Sequence, residues 1–219
     1  MTDYERARKA MVDNQLLTSG IIDRRILAAM GEVRRELFVP AARLPLAYID
    51  EAHALPGPSG RALAAPAPFA KLVQLAAIGH DDVVLDVGVG TGYSAAVLAQ
   101  LAGKVVALES DPELAAAARV ALSRAGSGTV HVVEGTLDGG VPRQGPYDVI
   151  IIEGAVAEVP AKLFSQLKEG GRLVALVRTN AAAVANLYVR SGNDFAARAE
   201  FNTTLPPLTS ARPAEAFVF

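Results

Sequence analysis

The chain has 219 residues, of which 51% are hydrophobic and 20% charged, which is enough for a domain with a substantial core and excludes a disordered chain. A formal net charge of −2 supplies no positive field for a nucleic acid, and the lack of cysteine excludes disulfides and thiolate metal sites. No apolar run has the length of a signal peptide or a membrane span, so we expect a cytoplasmic protein that binds neither nucleic acid nor membrane.

The first part of the chain, residues 1–65, reads as a helical cap followed by a loop. Apolar residues recur at helical spacing over residues 4–17 and again over residues 22–30, which predicts two short helices. Six prolines between Pro40 and Pro68 predict irregular structure there.

The second part, residues 66–180, alternates between strand and helix patterns. Continuous runs of Val, Ile and Leu predict five strands, at residues 83–87, 104–109, 130–134, 147–152 and 172–177. Helical patterns at residues 69–78, 91–101 and 112–125 lie before or between them. We therefore expect an α/β fold with a doubly wound, mostly parallel, Rossmann-like sheet.

The last part, residues 181–219, predicts an antiparallel hairpin. Its strands are residues 184–190 and 195–204 on either side of a polar turn, and a further apolar run ends the chain at residues 216–219. All three parts together are predicted to form a single domain, residues 1–219.

The segment from Leu85 to Tyr93 predicts a cofactor-binding loop. Three glycines, Gly88, Gly90 and Gly92, follow the first predicted strand and allow a backbone to approach a ligand closely. Their Gly-x-Gly-x-Gly spacing differs from the Gly-x-Gly-x-x-Gly of dinucleotide-binding folds. With Asp86 inside the motif, and Val89 and Tyr93 beside it, the pattern favours S-adenosylmethionine; tight strand–helix packing without a cofactor is the alternative.

Two further strand ends add acidic groups to the same predicted cleft. Glu109, followed by Ser110, lies about 20 residues past the glycines, where a carboxylate can accept hydrogen bonds from ribose hydroxyls. Glu134, Gly135 and Thr136 end the next strand, where an acidic group can read an adenine amino group. We predict that all five of these residues bind the cofactor.

At these residues and in the cap, the chain resembles the protein-L-isoaspartate O-methyltransferase family. The similar segments are residues 11–16, 20–30, 38–40 and 47–50 in the cap, residues 85–93, and residues 147–150, 160–167 and 170–174 in the later strands. The resemblance implies an S-adenosylmethionine-dependent O-methyltransferase that methylates a carboxylate of damaged aspartyl residues. Its implied partner is a protein or peptide with an isoaspartyl residue.

The loop before the first sheet helix departs from that family's pattern. Ala64 stands at the position of a serine whose hydroxyl holds the substrate carboxylate, and Ala62 also lacks a hydroxyl. We assign Arg61, Leu63 and Ala64 to the substrate loop and name no catalytic residue. Arg61 is a candidate to pair with the carboxylate instead; an exposed loop arginine is the alternative.

Two other functions remain open at this point. The alanines allow a methyltransferase for a different acceptor, and the glycine loop alone also allows a non-catalytic S-adenosylmethionine-binding homologue. A metal site is not predicted, because His53, His80 and His131 show no ligand spacing.

Overall fold

The computed structural model describes residues 3–178 and 183–208. It begins with the predicted cap, in which helix α1 (Asp3–Met11) continues into a wider turn (Val12–Leu16) and is followed by helix α2 (Arg24–Glu32). The side chain of Asp23 accepts a hydrogen bond from the backbone N–H of Arg25, which starts α2. Both predicted cap helices are therefore confirmed.

The segment predicted to be irregular contains short regular elements. A 3₁₀ helix covers Ala41–Leu46, and strand β1 (His53–Ala54) pairs antiparallel with strand β2 (Ala62–Leu63). Helix α3 spans Pro66–Ala76 and so begins three residues before the predicted start. The prediction of irregular structure up to Pro68 is wrong here, because a proline in the first helical turn costs no hydrogen bond.

A seven-stranded sheet forms the centre of the protein, in the order β5-β4-β3-β6-β7-β8-β9. Its strands are β3 (Val83–Val87), β4 (Lys104–Glu109), β5 (His131–Glu134), β6 (Tyr147–Val156), β7 (Leu167–Arg178), β8 (Ala183–Ser191) and β9 (Asp194–Asn202). Strands β3 to β7 pair in parallel, and β8 and β9 form the predicted antiparallel hairpin. The predicted run at residues 216–219 lies outside the described residues.

Side chains alternate between the two faces of this sheet. Val84 packs in the core beneath the cap with α3, α4 (Tyr93–Leu98) and α5 (Pro112–Arg124). Leu85 and Val87 pack on the opposite face with the short helix α6 (Ala161–Phe164). The predicted doubly wound α/β fold is confirmed, although its second face carries only this short α-helix among the described residues.

Strand β3 lies between β4 and β6, so the chain turns back at β3 after β5 and continues on the other side. In open α/β sheets, ligands bind at the carboxyl ends of the strands at such a switch point. The fold therefore places a ligand site between the ends of β3 and β6. No helix in the described ranges is long and apolar enough to cross a bilayer.

Candidate cofactor and acceptor site

The glycine loop at the end of β3 has the backbone that its sequence predicts. Gly88 and Gly90 have φ angles of +87° and +56°, in the left-handed region that side chains disfavour. A Cβ atom on Gly88 would lie 2.6 Å from Leu208 Cδ1, and one on Gly90 would lie 2.6 Å from Leu55 Cδ1. Side chains of this protein therefore lie directly on the backbone at these two positions, which leaves no space for a Cβ atom.

Gly92 has a left-handed φ of +92°, like the other two glycines. A Cβ atom there would also lie 3.2 Å from the Cβ of Ala118 and 3.3 Å from Leu122 of helix α5. Tight packing against α5 thus adds a second reason for glycine at this position.

Glu109 is fully buried at the end of β4 and accepts hydrogen bonds on both carboxylate oxygens. Oε2 accepts from the backbone N–H of Gly90 at 2.7 Å, and Oε1 accepts from those of Ser110 at 2.8 Å and Asp111 at 3.1 Å. These bonds tie the carboxylate directly to the glycine loop. Glu109 thus lies at the end of its strand, as predicted, and its binding of ribose stays a prediction.

Arg61 is buried beside this carboxylate, with 3% of its surface exposed. Its Nη2 atom lies 3.0 Å from Glu109 Oε2 and also donates to the carbonyl of Gly88. The alternative of an exposed loop arginine is wrong, because the loop folds inward over the glycines. Nη1 is buried and has no hydrogen-bond partner within the described chain.

A cavity of about 510 Å³ opens at the carboxyl ends of β3 to β6. From the predicted cofactor set, Ser110 and Thr136 line it; Asp138, Ala155 and Leu208 also contribute. Glu134 is exposed at the end of β5 and does not line this cavity, while Gly135 donates its backbone N–H to the carbonyl of Glu109. The volume is in the range of small-molecule sites.

A second, much smaller cavity of about 10 Å³ lies where the substrate loop meets the glycine loop. Its lining contains Ala62, Leu63 and Ala64 from one loop, and Gly88, Val89 and Tyr93 from the other and from α4. The structure thus brings together the predicted substrate-loop residues and part of the predicted cofactor set.

Arg35 fixes the substrate loop to the cap. This buried guanidinium donates to the carbonyl of Ala64 from Nη2 at 2.6 Å and to the carbonyl of Ala47 from Nε at 2.8 Å. It also lies 4.7 Å from the ring centre of Tyr93, within the range of a cation–π contact.

Asp86 and Glu153 lie on the same face of the sheet beside Gly88. Asp86 pairs with Ile151 across β3 and β6, so Glu153, two residues further along β6, points to the same side. Burial raises the pKa of Asp86 to about 7, and the charge of Glu109 adds to this shift. Burial and the neighbouring Asp86 raise the pKa of Glu153 well above its ordinary range.

The sequence reasoning missed Glu153, Ser94 and Arg35. A signal for Glu153 was available, because it directly follows the predicted strand 147–152, just as Glu109 ends an earlier strand. Ser94 lies in the first turn of α4 and lines the small cavity. Arg35 carried no such signal, since only the packing of the cap against the loop buries it.

These residues fit the chemistry of S-adenosylmethionine. The glycine loop has a left-handed backbone at the end of β3, Glu109 offers a fixed carboxylate, and the 510 Å³ cavity at the strand ends is large enough for a nucleoside. Asp86 is fully buried, and hydrogen bonds from Ser94 and Glu153 favour its charged form against the effect of burial.

A parallel sheet with a glycine loop after its first long strand, a carboxylate after the next and a cleft at the switch point defines an S-adenosylmethionine-dependent methyltransferase. The family model for protein-L-isoaspartate(D-aspartate) O-methyltransferase matches residues 6–212. The chain therefore belongs to the protein-L-isoaspartate(D-aspartate) O-methyltransferase family.

Relatives agree with this assignment. The chain is 43% identical over 174 residues to a protein-L-isoaspartate O-methyltransferase from Koribacter versatilis, covering 80% of this chain and 78% of that one. It is 44% identical over 170 residues to protein-L-isoaspartate O-methyltransferase 2 from Anaeromyxobacter, covering 78% and 69%.

Solved structures share the fold. A protein-L-isoaspartate O-methyltransferase matches with a TM-score of 0.80 at 27% identity, covering 93% of this chain; this chain spans 65% of that protein. A Plasmodium falciparum protein assigned to the same family, in complex with S-adenosyl-L-homocysteine, has the same TM-score at 19% identity and shows the fold alone. Its coverage is 93% of this chain and 98% of that one.

Proposed function

We propose that this methyltransferase transfers a methyl group from S-adenosylmethionine to a carboxylate of an isoaspartyl residue in a protein or peptide. The observation that carries the proposal is the contact between the substrate loop and the glycine loop, in which Arg61 donates to the carbonyl of Gly88 and Ala62 to Ala64 lie against Gly88 and Val89. A carboxylate held by Leu63 and Ala64 would there meet a methyl donor held on Gly88. Family membership over most of the chain supports this acceptor.

The residues of this chain would act mainly by positioning. S-adenosylmethionine supplies a methyl group already activated by its sulfonium, and an ionised carboxylate needs no proton removed. Orientation and exclusion of water can lower a barrier by roughly 7 to 11 kcal/mol in model systems. Arg35 would hold the acceptor loop through the carbonyl of Ala64, while Phe69 and Val89 exclude water from the shared cavity.

The missing hydroxyl at Ala64 need not abolish this reaction. One hydrogen bond to a charged carboxylate contributes about 1.5 to 3 kcal/mol, so its loss would slow the reaction without preventing it. The same alanines favour the second candidate function, which is a methyltransferase for a different acceptor.

A labelled-methyl assay separates these candidates. The purified protein is incubated with labelled S-adenosylmethionine and either an isoaspartyl peptide or its normal aspartyl twin, while calorimetry measures binding of S-adenosyl-L-homocysteine. We expect label only in the isoaspartyl peptide. Cofactor binding with no label in either peptide would overturn the proposed acceptor and leave another acceptor or a non-catalytic binding protein.

A further inference from the structure

The side chain of Arg61 occupies two acceptors of the predicted cofactor site. Its Nη2 atom donates to the carbonyl of Gly88 and lies 3.0 Å from Oε2 of Glu109. The same atom lies 2.7 Å from the position that a Cβ atom on Gly88 would take, so it covers the surface of that glycine. A methyl donor that used this carbonyl and this carboxylate through its amino group and ribose would therefore need Arg61 to move.

The backbone around Arg61 is held in place. The carbonyl of Arg61 accepts a hydrogen bond from the N–H of Leu55 at 2.9 Å. Strand β2, which follows directly, pairs with β1, and Arg35 donates to the carbonyl of Ala64 at 2.6 Å. Because the backbone is fixed on both sides, we expect Arg61 to leave Glu109 by rotation about its side-chain bonds while the loop stays where it is.

A guanidinium that leaves Glu109 needs another anion, because a buried charge without a partner is costly. The Nη1 atom of Arg61 is already buried without a hydrogen-bond partner among the described residues, so its donors are not yet used. The adjoining residues Ala62–Ala64 lie against Gly88 and Val89, and their side chains offer no donor to an acceptor. The proposed function brings a carboxylate to this loop, and a guanidinium can bind both oxygens of a carboxylate.

The charges in this region allow the guanidinium to leave only if another cation replaces it. Burial lowers the pKa of Arg61, whereas the charges of Glu109, Asp111, Glu153 and Asp86 raise it. S-adenosylmethionine and S-adenosyl-L-homocysteine both carry a positively charged amino group. These acidic residues would therefore keep a cation beside them when Arg61 turns away.

We propose that Arg61 has two positions: it binds Glu109 and Gly88 until the cofactor takes these two acceptors, and it then binds the acceptor carboxylate. Arg61 would thus determine specificity for a carboxylate, in place of the hydroxyl that is missing at Ala64. Its rotation also uncovers the surface of Gly88. Because the guanidinium is released only when the cofactor binds, cofactor binding precedes and strengthens peptide binding. This inference rests on the proposed function.

The test measures peptide binding with and without S-adenosyl-L-homocysteine, which cannot donate a methyl group. Calorimetry compares an isoaspartyl peptide with the same peptide in which an amide replaces the free carboxylate of that residue. The variants are Arg61→Ala, which removes the guanidinium, Arg61→Lys, which keeps the charge, and the control Arg198→Ala on β9, where the side chain is 71% exposed. Affinity for S-adenosyl-L-homocysteine and urea denaturation are measured for each variant.

We expect the wild type saturated with S-adenosyl-L-homocysteine to bind the carboxylate peptide about 10-fold to 100-fold more tightly than the amide. Without the ligand this preference should fall to within about 3-fold, since Arg61 remains on Glu109. Arg61→Ala should show no preference in either condition, and Arg61→Lys should keep about 3-fold to 10-fold because it lacks the planar fork. Arg198→Ala should match the wild type.

A carboxylate preference that is equal with and without S-adenosyl-L-homocysteine would overturn the two positions of Arg61. A wild-type preference in Arg61→Ala or Arg61→Lys would overturn its contact with the acceptor. If urea denaturation shows that Arg61→Ala does not fold, the comparison of the wild type with and without the ligand still decides.

Failure of this inference is distinguishable from failure of the proposed function. If the wild type methylates the isoaspartyl peptide but its carboxylate preference does not depend on Arg61, the inference fails and the proposed function stands. If it binds the carboxylate through Arg61 yet transfers no methyl group, the proposed function fails and the role of Arg61 stands. If it neither binds nor methylates the isoaspartyl peptide, both fail.

Discussion

The guanidinium of Arg61 and the carboxylate of Glu109 form an ion pair, with 3.0 Å between Nη2 and Oε2 and at most 3% of either side chain exposed. The pair joins a residue predicted to hold the acceptor to one predicted to hold the cofactor. If Glu109 binds a ribose hydroxyl through Oε2, as we predict, that hydroxyl would compete with Arg61 for this oxygen.

Arg61→Ala should destabilise the protein by about 3 kcal/mol, because it leaves the buried carboxylate of Glu109 without its cation. In the same variant, S-adenosyl-L-homocysteine should raise the free energy of unfolding by more than it does in the wild type, since no guanidinium has to be displaced. Urea denaturation with and without the ligand measures both effects. The control is Arg198→Ala, which breaks the exposed pair with Glu200 and should cost at most about 1 kcal/mol. An unchanged or smaller ligand stabilisation in Arg61→Ala would contradict the competition.

Asp86→Asn should change how stability depends on pH. The folded-state pKa of Asp86 is raised from 3.8 to about 7, so its contribution is fully present below about pH 4 and is lost as the pH rises through 7. Asn does not titrate, so the variant should not lose this contribution. Between pH 5 and pH 8 its free energy of unfolding should rise relative to that of the wild type by on the order of 2 to 3 kcal/mol. Denaturant titrations at both values measure the difference.

The exposed Asp194→Asn serves as its control and should follow the wild type at both pH values. A wild-type stability that changes between pH 5 and pH 8 by the same amount as that of Asp86→Asn would refute the assignment.

Arg35→Ala should cost about 3 kcal/mol, because the carbonyls of Ala47 and Ala64 lose their buried donor and a cavity remains. The neighbouring Arg34 is exposed and donates to the carbonyl of Arg124, so Arg34→Ala should cost less than about 1 kcal/mol. Chemical denaturation compares the two. Equal losses would show that Arg35 does not fix the loop.

Gly88→Ala should abolish tight cofactor binding. Its new Cβ atom would lie 2.6 Å from Leu208 Cδ1 and 2.7 Å from Arg61 Nη2, so the predicted cofactor loop and these side chains would have to move apart. Gly126 has a similar φ of +80° but nothing within 4 Å, so Gly126→Ala isolates the backbone strain of about 1 kcal/mol. Calorimetry with S-adenosyl-L-homocysteine should show at least a roughly 10-fold loss for Gly88→Ala alone. Equal affinities in the two variants would show that Gly88 is not part of the cofactor site.

Features that depend on local sequence patterns were predictable. The apolar runs located β3 and β4 at their observed bounds, and the turn chemistry at residues 191–194 located the hairpin. Strand β6 was predicted to end at Ile152 but continues to Val156. The glycine at position 154 and the acidic Glu153 interrupt the apolar pattern there without ending the strand.

Features that depend on distant contacts were not predictable. Arg61 looked like a loop residue because nothing near it in sequence shows that the loop folds over Gly88. Leu55 and Leu208 cover the glycine loop from segments far away in the chain. A sequence pattern identifies which groups can bind a cofactor, whereas tertiary packing decides what stands next to them.

Leu208 contacts both strand β6 and the glycine loop. Its backbone N–H donates to the carbonyl of Ala155, the N–H of Ala155 donates to Pro206, and the Leu208 side chain lies over Gly88 and along the large cavity. The entrance to the cleft is thus shaped by a stretch that carries no recognisable motif. We therefore expect substitutions at Leu208 to change the shape of the cleft while every motif residue stays the same.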